Sequence, residues 1–323
     1  MKALVTGASG FLGGRLAQVL AMRTGFVRIL ARKTNDLTHL ANLPVEVVEG
    51  TLADRTVLAS AIEGITHIFH CAAASTDWAP WSTYFNANVQ GARNLLQAAQ
   101  AASQLERFLH IGTTDVYGYP HQVCDESTPP HDVGLPYNRT KILGERAVLD
   151  SGLPVTVVRP ATIYGPRSVT FGTDLARLLR QRLMAVIDHG QAPGGFLYVD
   201  NAVDAILLAV TSNDSLGRIY NLADGTGVTW RTFVDQLADG LGYPRPWIDL
   251  PSGAAFALAR FLEAMPGRPL LTRHAVHLLA RDQEFPIDRI RRELGYEPTI
   301  SFEEGMKRTI EWLRSTLRAP PQV

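Results

Sequence analysis

The nine residues TGASGFLGG, at 6–14, limit what this chain can fold into more than any other stretch. Gly7, Gly10 and Gly13 stand three apart, directly behind a short apolar run at 2–6. Glycine gives up more backbone entropy than any other residue and buries no side chain, so three of them need a reason. The run that follows, FLGGRLAQVLAMR (11–23), sets Leu12, Leu16, Val19 and Leu20 at helical spacing. The stretch therefore reads as a strand-to-helix turn. In such a turn the first glycine permits the tight bend. The second lets a phosphate approach the backbone, and the third lets the helix pack close to the sheet. An anion is favoured at the helix N-terminus that results. A dinucleotide-binding turn is expected, with an ordinary tight loop as the alternative.

Apolar, β-branched runs recur at 27–31, 45–50, 67–73, 107–112 and 154–160, with helical patterns near 54–63, 85–103 and 137–150. Strands alternating with helices predict βαβ units and a parallel sheet covered on both faces. The expected fold class is α/β, a Rossmann-like doubly wound sheet over residues 1–165, with ligands at the carboxyl ends of the strands. The rhythm breaks beyond about residue 165. Residues 166–323 are expected to form mostly a smaller substrate-binding lobe, with 196–224 returning to the main sheet. Within that lobe PSGAAFALARFLEAM (251–265) is either a mobile amphipathic cover or a packed surface helix.

Lys+Arg and Asp+Glu both number 31, so nothing favours nucleic acid or an anionic membrane surface as partner. Cys71 and Cys124 make no disulfide framework and no metal-ligand spacing, and a reducing compartment is the simplest context. The chain opens on a strand and has no apolar stretch of membrane-spanning length, so neither a signal peptide nor an integral membrane segment is expected. A cytoplasmic protein acting on a small molecule fits these totals. No metal cluster is read, and His70 and His110, both in strands, are expected to be hydrogen-bonded core residues. The end, RAPPQV (318–323), is expected to fray.

YNRTK, at 137–141, carries the sharpest chemistry. It follows Pro136 and opens a helix, so Tyr137 and Lys141 share a face. A phenol with a pKa near 10 is a poor acid or base at neutral pH. A neighbouring ammonium stabilises its phenolate and lowers that value. The pair can then move a proton at an alcohol oxygen, and the lysine can also hold a ribose hydroxyl. HIGTTDVYG (110–118) supplies strand-end hydroxyls, Thr113 and Thr114, able to orient a substrate oxygen. The bland alternatives are a solvated helix face and a polar turn.

In this order the motifs resemble those of the extended short-chain dehydrogenase/reductases, along most of the chain. TGASGFLG matches the family's nucleotide turn, HCAA (70–73) its fourth strand end, NVQGARNLLQAA (88–99) its asparagine-led helix and RPATIYGP (159–166) its nicotinamide-side loop. The resemblance implies Thr113 as the catalytic hydroxyl, Tyr137 as acid/base, Lys141 as its partner and Asn88 as the structural and proton-relay asparagine. It implies a cofactor site of Gly7, Ser9, Gly10, Phe11, Leu12, Gly13, Arg32, Leu52, Ala72, Tyr137, Lys141, Pro160, Thr162 and Ile163. It also implies Trp78, Trp81, Thr114, Tyr164 and Tyr198 toward the substrate, although the tryptophans could equally be core packing. A homodimer through the helices near 88–103 and 137–150 is usual in that family.

The second strand ends Ala31-Arg32-Lys33, without the carboxylate that NAD-preferring members use on the ribose diol. Two cations there could meet a 2′-phosphate, so the cofactor reading leans to NADP, with NAD the alternative. In GTLAD (50–54) Thr51 replaces the family's adenine-side acid, which leaves Asp54 as the nearest one. Two substrate readings compete. Nucleotide-sugar dehydratases of this kind carry an Asp-Glu pair where this chain has Thr114-Asp115, so dehydration is disfavoured and 4-epimerisation stays open. The C-terminal half, 220–242 and 268–313, is more similar to 3β-hydroxysteroid dehydrogenases and 2-alkyl-3-oxoalkanoate reductases. That similarity implies interconversion of a secondary alcohol and a ketone on a 3-hydroxy/3-oxo substrate. A non-catalytic dinucleotide sensor is the third reading, disfavoured because the Tyr/Lys pair is retained. The final segment reads as fold closure: Gly295 ends one helix, and Ser301 with Glu304 caps the last.

Overall fold

The structure, a computed structural model, describes residues 1–318. The tail expected to fray lies outside them from residue 319 on. The first half is a run of strand–helix units. β1 (Ala3–Thr6) feeds α1 (Phe11–Thr24), followed by β2 (Val27–Ala31), β3 (Val45–Glu49), α2 (Arg55–Ile62) and β4 (His67–His70). A short α3 (Trp81–Tyr84) continues through a π-helical turn, Phe85–Gln90, into α4 (Gly91–Gln100). Then come β5 (Arg107–Ile111), α5 (Pro136–Leu149) and β6 (Val155–Pro160). Local chemistry accounts for several boundaries. Pro136 starts α5, where its missing N–H costs nothing. Gly25 ends α1 in the left-handed region. The Asp54 carboxylate accepts from the amides of Thr56 and Val57, both at 3.1 Å, so its role is to cap α2.

The second half runs β7 (Thr162–Tyr164), α6 (Leu175–Arg180), β8 (Ala185–Ile187), β9 (Phe196–Tyr198), α7 (Val199–Thr211), β10 (Ile219–Leu222) and α8 (Trp230–Leu241). It closes with β11 (Ile248–Leu250), α9 (Ser252–Glu263), α10 (Arg273–Ala280), α11 (Asp288–Leu294) and α12 (Phe302–Arg318). Gly295 ends α11 in the left-handed region, and the Ser301 hydroxyl accepts from the Glu304 amide at 3.3 Å, as the capping pattern predicts. No helix of the described residues is long and apolar enough to cross a membrane.

Seven parallel strands form one sheet in the order β3-β2-β1-β4-β5-β6-β10. The order reverses between β1 and β4, and a crevice opens at the carboxyl ends of strands where it does. Both faces are covered, which is why these strands read as apolar runs rather than alternating ones. α2, α4 and α5 bury one face with Leu58, Leu95 and Val148. α1, α7, α8 and α12 bury the other in a core that runs on through Trp230, Phe233 and Phe302. Of residues 196–224 only β10 enters the main sheet. β9 pairs with β7 in a two-stranded sheet of its own, because the chain turns away from β6 at Ala161, whose amide bonds Leu222 O at 2.9 Å. α9 buries Ala255 and Ala259 against α10 and leaves Leu258 and Phe261 exposed.

Candidate active site

The glycine turn lies at the strand-order reversal. Gly7 has φ +76°, and a Cβ there would lie 2.7 Å from the Ala72 amide nitrogen. Gly13 sits against the Gly7 carbonyl, so α1 crosses the end of β1 closely. Gly10 is different: a Cβ there meets only Gly7 O, at 3.2 Å, so its outer side is open. Gly10 is also the N-cap of α1, with no side-chain cap and no acidic residue in the first turn. The amides that begin α1 at Phe11, Leu12 and Gly13 therefore meet no side-chain acceptor from the cap and no local carboxylate. That arrangement fits the pyrophosphate of a dinucleotide.

The flanking residues take different places. Ser9 and Phe11 are partly buried, and Leu12 belongs to the core. The Ala72 amide donates to Thr6 Oγ1 at 3.3 Å, and Leu52 O accepts from Asn94 at 2.8 Å. Arg32 and Lys33 are exposed beyond β2. Asp36, the nearest carboxylate downstream, is turned to Thr38 through 2.9 and 2.7 Å bonds.

A second group lies beyond the end of β5. Thr113 is extended, at φ −165°, and its hydroxyl accepts from the Asp115 amide at 3.2 Å. α5 carries Tyr137 and, one turn on, Lys141. The buried Lys141 Nζ donates to Ile111 O at 2.7 Å, which ties the helix to the strand end. Burial pulls its ammonium down to about 8. The Tyr137 phenol shifts upward, not downward as the sequence argument expects. Burial is the main cause and the Asp115 carboxylate the next, while the Thr113 hydroxyl works the other way. The lysine is committed to a backbone carbonyl, and the partly buried phenol holds its proton. Asn88, on the π-helical turn, accepts from the Ala74 amide at 2.7 Å and donates to Ala74 O and Thr140 Oγ1 at 3.2 and 3.1 Å. It fastens the loop after β4 to α5.

The C-terminal lobe closes on this group with residues that sequence reading does not pick out. Asp115 receives Arg281 at 2.8 Å and His274 Nε2 at 3.1 Å. Burial alone would raise its carboxyl, but the His274 bond and the Arg281 charge outweigh this and hold it below the usual range. Arg281 also reaches Thr162 Oγ1 at 3.1 Å. The His274 ring stacks on Tyr137, centroids 5.2 Å apart and planes at 25°. His277 stacks on Tyr119 at 4.4 Å. Thr272 caps α10 by accepting from Ala275 at 3.0 Å, and with Arg268 it grips Asp77 at 3.1 and 3.0 Å. The sequence signal for these residues is weak: single charges and histidines some 160 residues from their partners.

Other expected residues take varied places. Trp81 is 43% exposed beside Phe85 and Arg139, and Trp78 is half-buried near Asp77. Thr114 is buried with no partner for its hydroxyl among the described residues. Pro160 closes β6, and Ile163 is partly buried on β7. Tyr164 and Tyr198 are corrected: they do not line the site. Both are fully buried, edge-on to each other at 5.5 Å, in the aromatic core with Phe196, Phe233 and Phe302. β7 and β9 alternate their side chains, and this register turns both rings inward under α12. His70 bonds Thr6 Oγ1 at 2.9 Å, whereas the buried His110 has no partner on either ring nitrogen among the described residues, contrary to expectation.

Residues 3–223 match the sequence profile of the NAD dependent epimerase/dehydratase family, so the chain belongs to that family. It is of the extended short-chain dehydrogenase/reductase type, with dehydrogenases and reductases among its curated relatives. Among curated relatives, a 2-alkyl-3-oxoalkanoate reductase of Stenotrophomonas maltophilia (strain K279a) is 30% identical over 95% of this chain and 98% of its own. Sterol demethylase protein B of Methylococcus capsulatus (strain ATCC 33009 / NCIMB 11132 / Bath) is 31% identical over 97% and 98%. Among solved structures, the crystal structure of gox2253 superposes with a TM-score of 0.83 at 28% identity, over 99% of both chains.

Proposed function

We propose that the protein reduces a ketone to a secondary alcohol on a 3-oxo substrate, and that Tyr137 delivers the proton. The observation that carries this reading is the gathering of Thr113, Tyr137 and Lys141 at the end of β5, with the phenol held protonated by burial and by Asp115. A bound dinucleotide supplies the hydride at carbon 4 of its nicotinamide. The rest falls to the chain's own residues. The α1 amides and Gly10 hold the pyrophosphate, and Lys141 holds a ribose hydroxyl. Thr113 orients the substrate oxygen, and Tyr137 protonates it as it becomes an alkoxide. Asn88 acts by positioning α5. Dehydration is disfavoured because Asp115, bound to Arg281 and His274, stays ionised.

Two of the relatives, a 3-oxoalkanoate reductase and a sterol demethylase protein, support a 3-oxo or sterol-like substrate. Exposed Arg32 and Lys33, with no carboxylate at the strand end, support NADP over NAD. A dimer through α4 and α5 belongs to the same reading, and light scattering tests it. The decisive experiment follows reduced-nicotinamide absorbance with both cofactors against 3-oxoacyl compounds, 3-oxosterols and UDP-sugars. Oxidation of NADPH by a 3-oxo compound is expected. Turnover of UDP-sugars alone would make the protein a 4-epimerase, and binding without turnover would make it a sensor.

A further inference from the structure

The nine-residue turn holds a fourth glycine that a pyrophosphate does not need. Gly14 is buried, and a Cβ there would lie 2.7 Å from His39 Nε2, 2.8 Å from Arg167 Nη1 and 2.9 Å from Ala8 O. The missing side chain is the room in which two distant residues reach the first turn of α1. A carbonyl only accepts, so His39 Nε2 carries the hydrogen it donates to Ala8 O at 3.0 Å, and this bond holds the ring against the turn.

Arg167 is held there under strain. The Ser168 amide donates to Gly165 O at 3.1 Å and closes a turn with Pro166 second and Arg167 third. Arg167 has φ +73°. The third position of a type II turn requires positive φ and favours glycine, so arginine stands where glycine would be relaxed. Among the described residues its guanidinium has no ion pair, and Nη1 is buried without a hydrogen-bond partner. Burial pulls the group below its ordinary pKa, and the Asp36 charge opposes this only from a distance. The Asp36 carboxylate is itself turned to Thr38. A half-buried cation on a strained residue, with no anion beside it, is poorly explained by packing alone.

The sheet order says which part of a dinucleotide would lie near it. β2 flanks β1 on one side and β4 on the other, with β5 and the Tyr137 group beyond β4. A nicotinamide at Tyr137 leaves the adenosine half toward β2. His39 follows β2, and Arg167 meets His39, so Arg167 is on the adenosine side together with Arg32 and Lys33. Gly10, Arg32 and Lys33 are exposed, so a phosphate reaches this side of the turn from solvent and needs no enclosed cavity.

We propose that Arg167 is a specificity-determining residue for the cofactor, whose guanidinium takes the 2′-phosphate of NADPH across the turn from Arg32. Guanidinium N–H groups donate to phosphate oxygens in pairs, and the phosphate supplies the anion that Arg167 lacks. The two arginines come from opposite halves of the chain, so the C-terminal lobe takes part in choosing the cofactor. This inference rests on the NADP reading above.

The test is calorimetric titration with NADPH and with NADH at one ionic strength, with melting temperatures measured alongside. Wild type is expected to bind NADPH more tightly than NADH. Arg167→Gly suits the positive φ, so the variant should melt no lower than wild type. It should bind NADPH about tenfold to a hundredfold more weakly, the worth of one charge-assisted contact, with NADH almost unaffected. Arg167→Lys keeps the charge but not the paired donors and should retain part of the preference. Equal weakening of both cofactors in Arg167→Gly would put the guanidinium on the diphosphate they share, and overturns the proposal. Unchanged affinities with a lowered melting temperature would mean that Arg167 only braces the turn, which also overturns it. A wild type without preference for NADPH removes the NADP reading itself, and this inference with it. A preference lost in Arg32→Ala but kept in Arg167→Gly removes this inference alone.

Discussion

At the glycine turn the groups that face outward are backbone amides, and the sequence contributes by leaving side chains out. Around Tyr137 the groups are side chains, apart from the Ile111 carbonyl that Lys141 bonds, drawn from the end of β5, from α5, from α10 and from the segment after it. The first region is built from nine consecutive residues, the second from positions up to 166 apart. A backbone site is damaged by adding atoms. A side-chain site is damaged by removing them. Five substitutions test whether the two regions really differ in this way.

The largest effect is expected from a single oxygen in the second region. Tyr137→Phe removes the proton and almost no volume, so turnover on a verified ketone should fall about 10²–10⁴-fold. Dinucleotide affinity and melting temperature should stay near wild type. A variant that keeps full turnover would remove Tyr137 from the chemistry, however well the motifs match.

Gly10→Val makes the opposite kind of change. The added side chain meets only Gly7 O, at 3.2 Å, a tight contact that a small backbone shift relieves, and it stands where a pyrophosphate would approach. Loss of one or two charge-assisted bonds, each worth about 1.5–3 kcal/mol, should weaken dinucleotide binding about a hundredfold. Ser9→Ala, which takes atoms away from the same turn, should change affinity little. If calorimetric titration shows Ser9→Ala to be the more damaging, the site is not made of backbone.

Arg32→Ala probes a side chain assigned to the cofactor at the rim of the turn. NADPH should bind about tenfold to a hundredfold more weakly, the worth of one charge-assisted contact, with NADH almost unaffected. Equal weakening of both would detach the arginine from a 2′-phosphate.

The smallest change should be in the stability of Lys141→Met. The folded chain releases the Lys141 proton at about 8, the unfolded chain at about 10.5. Between these values the unfolded state binds more protons, so wild-type stability should rise as pH increases through that window. The methionine variant should lack this rise and, at neutral pH, melt no lower than wild type, while losing turnover and cofactor affinity. Denaturant titrations at pH 7 and pH 10 would show it. A strongly destabilised variant would mean that the bond to Ile111 O outweighs the cost of burying the ammonium.

Much of the fold and the first region could be read from the sequence because their causes are local. Glycine spacing, apolar runs, Pro136 and the Ser301–Glu304 pattern each act within a few residues. They determined the parallel α/β sheet, the turn at its first strand, and the Tyr137–Lys141 face of α5. Only the tertiary structure decided what surrounds that face. Tyr164 and Tyr198 look like site residues in a loop motif, yet the pairing of β7 with β9 turns them into the core. Lys141 is near Tyr137 in sequence, yet its ammonium goes to Ile111 O, and burial raises the phenol instead of the lysine lowering it. His274 and Arg281 carry no motif. They meet Asp115 because α10 and the segment after it pack back over the end of β5. The physical reason is range. Backbone geometry and helix periodicity are set by neighbours along the chain, whereas burial, ion pairing and ring stacking depend on which distant segments fold against each other.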